Sequence, residues 1–295
     1  MQLAKLLLVA ALAAIPLSAQ NFVTNGDFAA GLTGWTQGGG YCYSPLAETW
    51  DTTGAGASLS FGYNPGGQVT PPPYPANTLE QTVTVAQGVP YEIRADLSTV
   101  KLVHTSANAD GGTIWAQVNG IEVARHAFGY YAYPKVYRAQ LCGRFVPTTS
   151  GPVTLKIGFE RAYLGTVNTP RVNIDNISLQ FASGATFCIR NNRQLGSTVT
   201  FEVQGAPQAP FAVFAAAKSG GPLTIPGFAG TYLLDLATTS LIWSGTLSAT
   251  GLATLPVPVP TDPYLTQAAT HFQPVQLTSA TTGAFGHAHW VYFFQ

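Results

Sequence analysis

In segment 114–118 a tryptophan and a glutamine alternate with apolar residues. Trp115 and Gln117 alternate there with apolar residues, so a strand would turn these two side chains away from the core. An aromatic ring can stack on the flat face of a sugar, and a carboxamide beside it can bond the hydroxyl groups. The same pattern also suits a tryptophan that is covered by a loop or by a second domain.

Two further segments carry side chains of the same kind. In segment 91–97 the polar residues Glu92, Arg94 and Asp96 alternate with apolar ones. Beyond the tryptophan lie three tyrosines and an arginine, Tyr130, Tyr131, Tyr133 and Arg138. Together with Trp115 and Gln117 these residues form the predicted ligand-binding set, and the predicted ligand is a polysaccharide or another glycan.

The spacing of acids, histidines and nucleophiles predicts no catalytic residue. No carboxylate belongs to a recognisable acid and base pair, and neither G-x-S-x-G nor H-E-x-x-H occurs. His287 and His289 share one face of a candidate strand and could bind a metal with His271, but exposed strand histidines are favoured because no acidic or sulfur partner accompanies them. We expect no enzyme activity, and a glycan-acting hydrolase is the least favoured alternative.

The elements that must position these residues are strands. Apolar residues recur with a period of two from residue 21 onward, which predicts an all-β fold. The pattern stops near residue 183 and restarts as seven short candidate strands, separated by glycine and proline turns, as in a sandwich. We predict two tandem β-sandwich domains, at 20–182 and 185–295.

Residues 1–19 have the composition of a secretory signal peptide. Lys5 precedes the apolar run 6–15, and small residues end the segment at Ala19. The run is shorter than the about 20 residues that a membrane-spanning helix needs. We expect a secreted protein, extracellular or at the cell surface, with no membrane span in the mature chain. The 13 basic and 13 acidic residues form no basic stripe, which speaks against nucleic acid as a partner.

Three cysteines allow one disulfide in an exported chain and leave one thiol over. Cys42 and Cys142 both fall in the first predicted domain, and we favour this pair. Cys188 is an alternative partner across the domain boundary.

The opening of the first domain resembles a known family. NFVTNGDFAAGLTGW, at 21–35, is similar to the start of galactose-binding-like jelly-roll carbohydrate-binding modules, in which an N-G-D/S-F-E strand precedes a G-W pair. Residues 78–97 and the closing RVNIDNISL of 171–179 resemble later segments of the same family. The resemblance implies a jelly roll and non-catalytic carbohydrate binding, although the same fold also hosts adhesive and structural modules.

The resemblance also implies a structural calcium ion between the first and last strands. The matching positions are Asn25, Asp27 and Asp175, and oxygen ligands suit this hard cation. Ala29 and Asn176 stand where the family often has further acids, so the ligand set is thinner here. In the alternative interpretation, Asn25 and Asp27 cap a turn and Asp175 bonds nearby backbone.

The second half resembles a small β-sandwich domain at the C-terminus of secreted proteins of environmental bacteria. The resemblance rests on Gly205 to Pro207, Pro226 to Leu234 and Pro256 to Pro258, and it implies no activity. For the whole chain we expect non-catalytic carbohydrate binding outside the cell. The alternative is a structural or adhesive matrix or filament protein that self-associates and has no sugar site.

Overall fold

The computed structural model describes residues 20–38, 42–47, 57–61, 77–101, 109–131, 135–161, 171–190, 193–266 and 269–293. The predicted signal peptide at 1–19 lies outside them. Regular structure in these residues is β-strand, apart from one short 3-10 helix at Pro263–Thr266. The predicted all-β fold is therefore confirmed. No helix in the described ranges has the length and apolar character needed to cross a membrane.

The first domain contains twelve strands within the described residues. They are β1 (Thr36–Gly38), β2 (Cys42–Ala47), β3 (Ala57–Phe61), β4 (Asn77–Val85), β5 (Tyr91–Lys101), β6 (Ala109–Asp110), β7 (Thr113–Val118), β8 (Ile121–Ala127), β9 (Tyr130–Tyr131), β10 (Lys135–Phe145), β11 (Gly151–Glu160) and β12 (Arg171–Phe181). Ten of them form one sheet in the order β1-β4-β11-β7-β8-β10-β5-β12-β3-β2, while β6 pairs with β9.

Strand β4 shows how the sequence sets the two faces of this sheet. Leu79, Val83 and Val85 are buried in the core, whereas Thr82 and Thr84 between them are exposed. Burial of each such apolar side chain contributes about 1.5–3 kcal/mol. The sheet curls so that apolar faces from both of its halves enclose one continuous core, which gives the jelly-roll sandwich.

The two halves of the sheet meet at a narrow seam between β8 and β10. Gly143 on β10 pairs with Ala124 on β8 at this seam. A Cβ atom on Gly143 would lie 2.0 Å from the carbonyl oxygen of Val123, so no larger residue fits there. Strands β1, β4, β11, β7 and β8 lie on one side of the seam, and the other five lie beyond it.

The two family-like motifs at the ends of the first domain meet in space. The Ile177 amide donates to the Gly26 carbonyl oxygen at 2.9 Å, and the Phe22 amide donates to the Leu179 carbonyl oxygen at 2.9 Å. A Cβ atom on Gly26 would lie 2.0 Å from the Ile177 carbonyl oxygen, which explains the glycine. The register of β12 shifts between Asp175 and Ser178, as it does at a β-bulge.

The second domain contains eleven strands within the described residues. They are β13 (Thr186–Arg190), β14 (Thr198–Gln204), β15 (Pro210–Ala216), β16 (Ser219–Leu223), β17 (Phe228–Ala229), β18 (Tyr232–Leu234), β19 (Ser240–Thr246), β20 (Leu252–Pro258), β21 (Thr270–Leu277), β22 (Gly283–Phe285) and β23 (His289–Val291). Its sheets run β13-β14-β20 and β17-β22-β21-β15-β19, with β23 paired to β21 and β16 to β18. Phe187, Phe201 and Phe272 pack together between the two larger sheets.

Strand β20 is an edge strand of the three-stranded sheet and carries two prolines. Pro256 lies opposite Thr200 and Pro258 lies opposite Thr198 on β14. Proline has no N–H to donate, which is why it occurs in sheets at edges.

Candidate functional site

The second domain covers the outer face of strand β5, where the sequence predicts that Glu92 and Arg94 face a ligand. Nη1 of Arg94 donates to the Ala288 carbonyl oxygen at 2.7 Å, and Nη2 donates to that of His287 at 3.3 Å. The Thr186 hydroxyl donates to Oε2 of Glu92 at 2.7 Å. Both side chains therefore contact protein across the domain boundary.

Glu92 is the most enclosed acid of this face, with 2% of its surface exposed. Its carboxylate pairs with Nε of Arg94, and Oε2 lies 3.5 Å from Nδ1 of His287. Burial alone raises the pKa of Glu92, but Arg94, His287 and Thr186 more than offset this effect and hold the pKa well below its usual range. Glu92 is an ionised structural group of the domain interface.

Asp96 lies at the margin of the same interface. Nε2 of Gln140 donates to its Oδ1 at 3.0 Å, and Nδ2 of Asn176 donates to its Oδ2 at 2.9 Å. Gln140 in turn accepts a 3.3 Å hydrogen bond from the Trp290 amide of the second domain. Burial raises the pKa of Asp96, and these hydrogen bonds and Arg94 only partly oppose the rise.

A disulfide and two arginines complete the contact between the domains. Cys142 on β10 is bonded to Cys188 on β13, with 5.9 Å between their Cα atoms. Nη1 of Arg190 donates to the carbonyl oxygens of Cys142 and Arg125, each at 3.0 Å, and Arg144 donates to the Gly184 carbonyl oxygen. The favoured Cys42–Cys142 pair is thus wrong, because β10 faces β13 and brings Cys188 to Cys142.

The predicted exposure of the β5 face is also wrong. The physical reason is that alternation identifies which side chains leave the core of the first domain, whereas it contains no information on what covers them. Here a second sandwich covers them, through hydrogen bonds to Glu92 and Arg94 and through the Cys142–Cys188 disulfide.

Trp115 lies outside the core of the first domain, on the other side of the seam. It stands opposite Gly158 on β11 and Arg125 on β8. Its indole lies so close to Gly158 that a Cβ atom there would be 2.1 Å from a ring carbon. Only 7% of the tryptophan is exposed, so its ring does not offer the open face that stacking on a sugar requires. Gln117 lies two residues further along β7 and is half-buried. Its role in ligand binding stays a prediction.

The tyrosines lie largely beyond what the structure describes. Tyr133 and the side chains of Tyr130 and Tyr131 fall outside the described residues. Arg138 lies on β10 opposite Ser98 of β5, so the seam separates it from Trp115. The ligand-binding role of these four residues stays a prediction.

The predicted calcium ligands are engaged with the protein itself. Nδ2 of Asn25 donates to the carbonyl oxygens of Gly31 and Thr33 at 2.9 and 3.0 Å, and Oδ1 accepts from the Ala30 amide at 3.0 Å. An amide nitrogen aimed at two carbonyl oxygens takes the place of a cation, so Asn25 does not fit a calcium ligand.

The two predicted aspartates make turn contacts of the same kind. Oδ1 of Asp27 accepts from the Ala29 amide at 3.3 Å, and Oδ1 of Asp175 accepts from the Asn176 amide at 2.8 Å. Calcium binding at Asp27 and Asp175 stays a prediction.

The three histidines of the second domain have different surroundings. His289 is fully buried, His287 lies beside Glu92, and burial lowers the pKa of His271. Among the described residues, no group of three or more His, Cys, Asp or Glu side chains is arranged to hold a metal ion.

An open cleft of about 490 Å³ lies at the β1 edge of the first sheet, away from the second domain. Its lining is Thr24, Gly34, Thr36, Glu80, Gln81, Thr82 and Thr154. Gln81 holds the N-terminal segment against β4, since its Nε2 donates to the carbonyl oxygens of Thr24 and Gly34, each at 3.0 Å. Glu80 forms a 2.6 Å ion pair with Lys156.

The sequence contains only part of the information needed to predict this cleft. The outward positions of β4 are polar, and they include Glu80 and Thr82. The cleft exists because Thr36 pairs opposite Glu80 and Thr154 opposite Thr82, and these register relations join residues far apart in the chain.

Comparisons with solved structures return β-sandwich proteins at low similarity. The tandem carbohydrate-binding modules CBM22-1 and CBM22-2 of Paenibacillus barcinonensis Xyn10C match 96% of this chain and 92% of their own, with 12% identity and a TM-score of 0.33. The adhesin domain of Epf from Streptococcus pyogenes matches 81% of this chain and 76% of its own, with 8% identity and a TM-score of 0.28.

A β-galacturonidase of Eisenbergiella tayi matches 74% of this chain with 12% identity and a TM-score of 0.27, and the match spans 35% of the enzyme. No protein-family model matches the chain, and no curated protein matches it. These values do not define a family.

Proposed function

We propose that this protein is a secreted, non-catalytic carbohydrate-binding protein and that the cleft at the β1 edge holds the sugar. The observation that carries this proposal is the lining of the cleft, in which four threonines lie beside the carboxylate of Glu80, while the Gln81 carboxamide is bonded to Thr24 and Gly34. A volume of about 490 Å³ lies within the range typical of small-molecule sites. Groups that both donate and accept hydrogen bonds suit a ligand rich in hydroxyls.

The charge of the cleft supports binding without hydrolysis. Glycoside hydrolysis generally uses two carboxyl groups on opposite sides of the bond to be cleaved. Among the described residues that line the cleft, Glu80 alone carries a carboxylate, and Lys156 neutralises it at 2.6 Å. The cleft therefore recognises a glycan and leaves it intact.

The disulfide at the domain boundary supports the proposal that the protein is secreted. The Cys142–Cys188 disulfide is stable where the surroundings are oxidising, as they are outside the cell. This is the environment to which the signal-peptide-like segment 1–19 would deliver the chain.

A second candidate function is a structural or adhesive role outside the cell. The observation that favours it is the union of the two sandwiches by a disulfide and several hydrogen bonds, which makes a stiff two-domain unit. In this role the protein would bind a surface or further copies of itself and would need no sugar site.

A glycan array tests the first candidate. We expect wild type to bind at least one glycan, and the double variant Thr82→Val and Thr154→Val to lose at least tenfold in affinity, because valine keeps the strand-forming shape and removes the hydroxyls. Thr84→Val is the matched control, since Thr84 is exposed on β4 and does not line the cleft.

Two results would reject the cleft, namely no glycan bound by wild type, or equal affinity of wild type and double variant. Concentration-dependent assembly of a wild-type protein that binds no glycan, seen by analytical ultracentrifugation, would favour the structural role instead.

A further inference from the structure

Arg193, which follows β13 at the domain boundary, is buried without a partner. It has 2% of its surface exposed, and Nε, Nη1 and Nη2 find no hydrogen-bond acceptor among the residues that the structure describes. A buried guanidinium in this state is unfavourable by several kcal/mol, since it has lost its water and gained no counter-charge. Native proteins satisfy such groups, so an acceptor is missing from the protein atoms alone.

Two buried histidines share this location, one from each domain. His126 on β8 has 4% of its surface exposed and His289 on β23 has 0%. Nδ1 of His126 and both ring nitrogens of His289 lack hydrogen-bond partners. Among the charges that act on either ring, that of Arg193 has the largest effect, and His126 also acts on His289. We call these three buried side chains, whose donors and acceptors are not all satisfied, the interface cluster.

The charges around the interface cluster do not balance. Arg94 pairs with Glu92, and Arg190 pairs with Glu202 at 2.6 Å. Burial lowers the pKa of Arg193 to about 9, and no acid acts on Arg193 to oppose this change. One full positive charge thus stays uncompensated inside the interface.

We propose that the interface cluster binds a small monovalent anion, with chloride as its physiological occupant, between the guanidinium of Arg193 and the rings of His126 and His289. A water molecule would satisfy hydrogen bonds and leave the charge unbalanced. A phosphate or sulfate dianion would exceed the single charge available, because burial and the charge of Arg193 keep both imidazoles neutral.

The ligands of this anion come from both sandwiches. Arg193 and His289 belong to the second domain and His126 to the first. Bound chloride would therefore link the domains next to the Cys142–Cys188 disulfide, and its binding free energy would add to the stability of the docked state. This site is independent of the cleft and of any sugar.

Anomalous diffraction from wild-type crystals in which bromide replaces chloride gives the direct test. We expect an anomalous peak at hydrogen-bonding distance from the Arg193 guanidinium and an imidazole nitrogen. A map without a peak at this position would overturn the proposal.

Thermal unfolding at constant ionic strength gives a second, independent measurement. On replacement of methanesulfonate, an anion bulkier than chloride, by chloride, we expect the Tm of wild type to rise by about 2–4 °C. Arg193→Met should abolish this rise, whether the variant itself is more or less stable than wild type. Arg125→Met, at an exposed arginine, should keep it. An equal rise in wild type and Arg193→Met, or no rise in wild type, would contradict the proposal.

Discussion

The Thr186 hydroxyl of the second domain lies 2.7 Å from Oε2 of Glu92 in the first domain and donates a hydrogen bond to it. Glu92 also carries the charge that compensates Arg94, which itself reaches the backbone of the second domain. One buried carboxylate therefore organises contacts from both sides of the domain boundary.

Replacement of Glu92 by glutamine should destabilise the protein strongly. The change leaves Arg94, whose side chain is 14% exposed, without its counter-charge, and the loss of one partner from a buried pair costs up to about 3–5 kcal/mol. The free energy of unfolding from urea denaturation measures the effect. Glu122→Gln is the matched control, because its ion pair with Arg125 is exposed and is worth at most about 1 kcal/mol. Equal losses in both variants would refute a special role for Glu92.

Stability should decrease as the pH falls below about 6.5. The pKa values of His126 and His289 lie well below the 6.5 of an exposed histidine, so the unfolded chain binds protons that the folded chain excludes. Each histidine then contributes a slope of up to about 1.4 kcal/mol per pH unit below 6.5 and none above it. The charged groups that act on the two rings are Arg94, Arg190, Arg193 and Glu92.

Urea denaturation at several pH values between 8 and 5.5 checks this slope. His289→Gln should reduce it by about half, because one of the two excluded protons no longer contributes. A free energy of unfolding that stays constant across this range would show that the rings are accessible to protons in the folded state.

The disulfide should join the two domains in protein that is produced under oxidising conditions. Peptide mapping without reduction should recover a linked pair that contains Cys142 and Cys188. The double variant Cys142→Ser and Cys188→Ser should lose about 2–5 kcal/mol, whereas Cys42→Ser serves as the control with little change. A linked Cys42 and Cys142 peptide would contradict the structure.

A side chain at position 158 should displace Trp115. In Gly158→Ala the new Cβ atom would lie 2.1 Å from the indole, and overpacking of this kind costs about 1–3 kcal/mol. Gly221→Ala is the control, since no atom lies within 4 Å of its added Cβ atom. Urea denaturation measures the loss, and a shift of the tryptophan emission should accompany it. Unchanged stability and emission would show that the ring does not lie across Gly158.

Local periodicity predicted many of the strands. Each of the seven strand segments predicted in the second half, from Ser197 onward, overlaps an observed strand, because alternation reports burial along a single strand. Strands β13, β16, β17 and β22 were missed. Strand β13 is buried at four consecutive positions and so shows no alternation, whereas the other three are short or rich in glycine.

The cleft and the domain interface could not be predicted in the same way. The cleft depends on the pairing of Thr36 with Glu80, and the interface depends on Thr186 reaching Glu92. Both relations join segments distant in the chain, and the alternation of a single strand does not encode them. Trp115 shows the same limit. Alternation correctly predicted that its side chain leaves the core of the first domain, but it could not predict that the ring is covered.

The prolines of β20 affect how this protein behaves before and after it is folded. A newly made chain completes its sheets among identical neighbours, where a bare strand edge can pair with the wrong molecule. Pro256 and Pro258 remove two amide donors from the edge of the β13-β14-β20 sheet. Strand addition by a neighbouring molecule, and the amyloid-like stacking that follows from it, is therefore disfavoured at that edge.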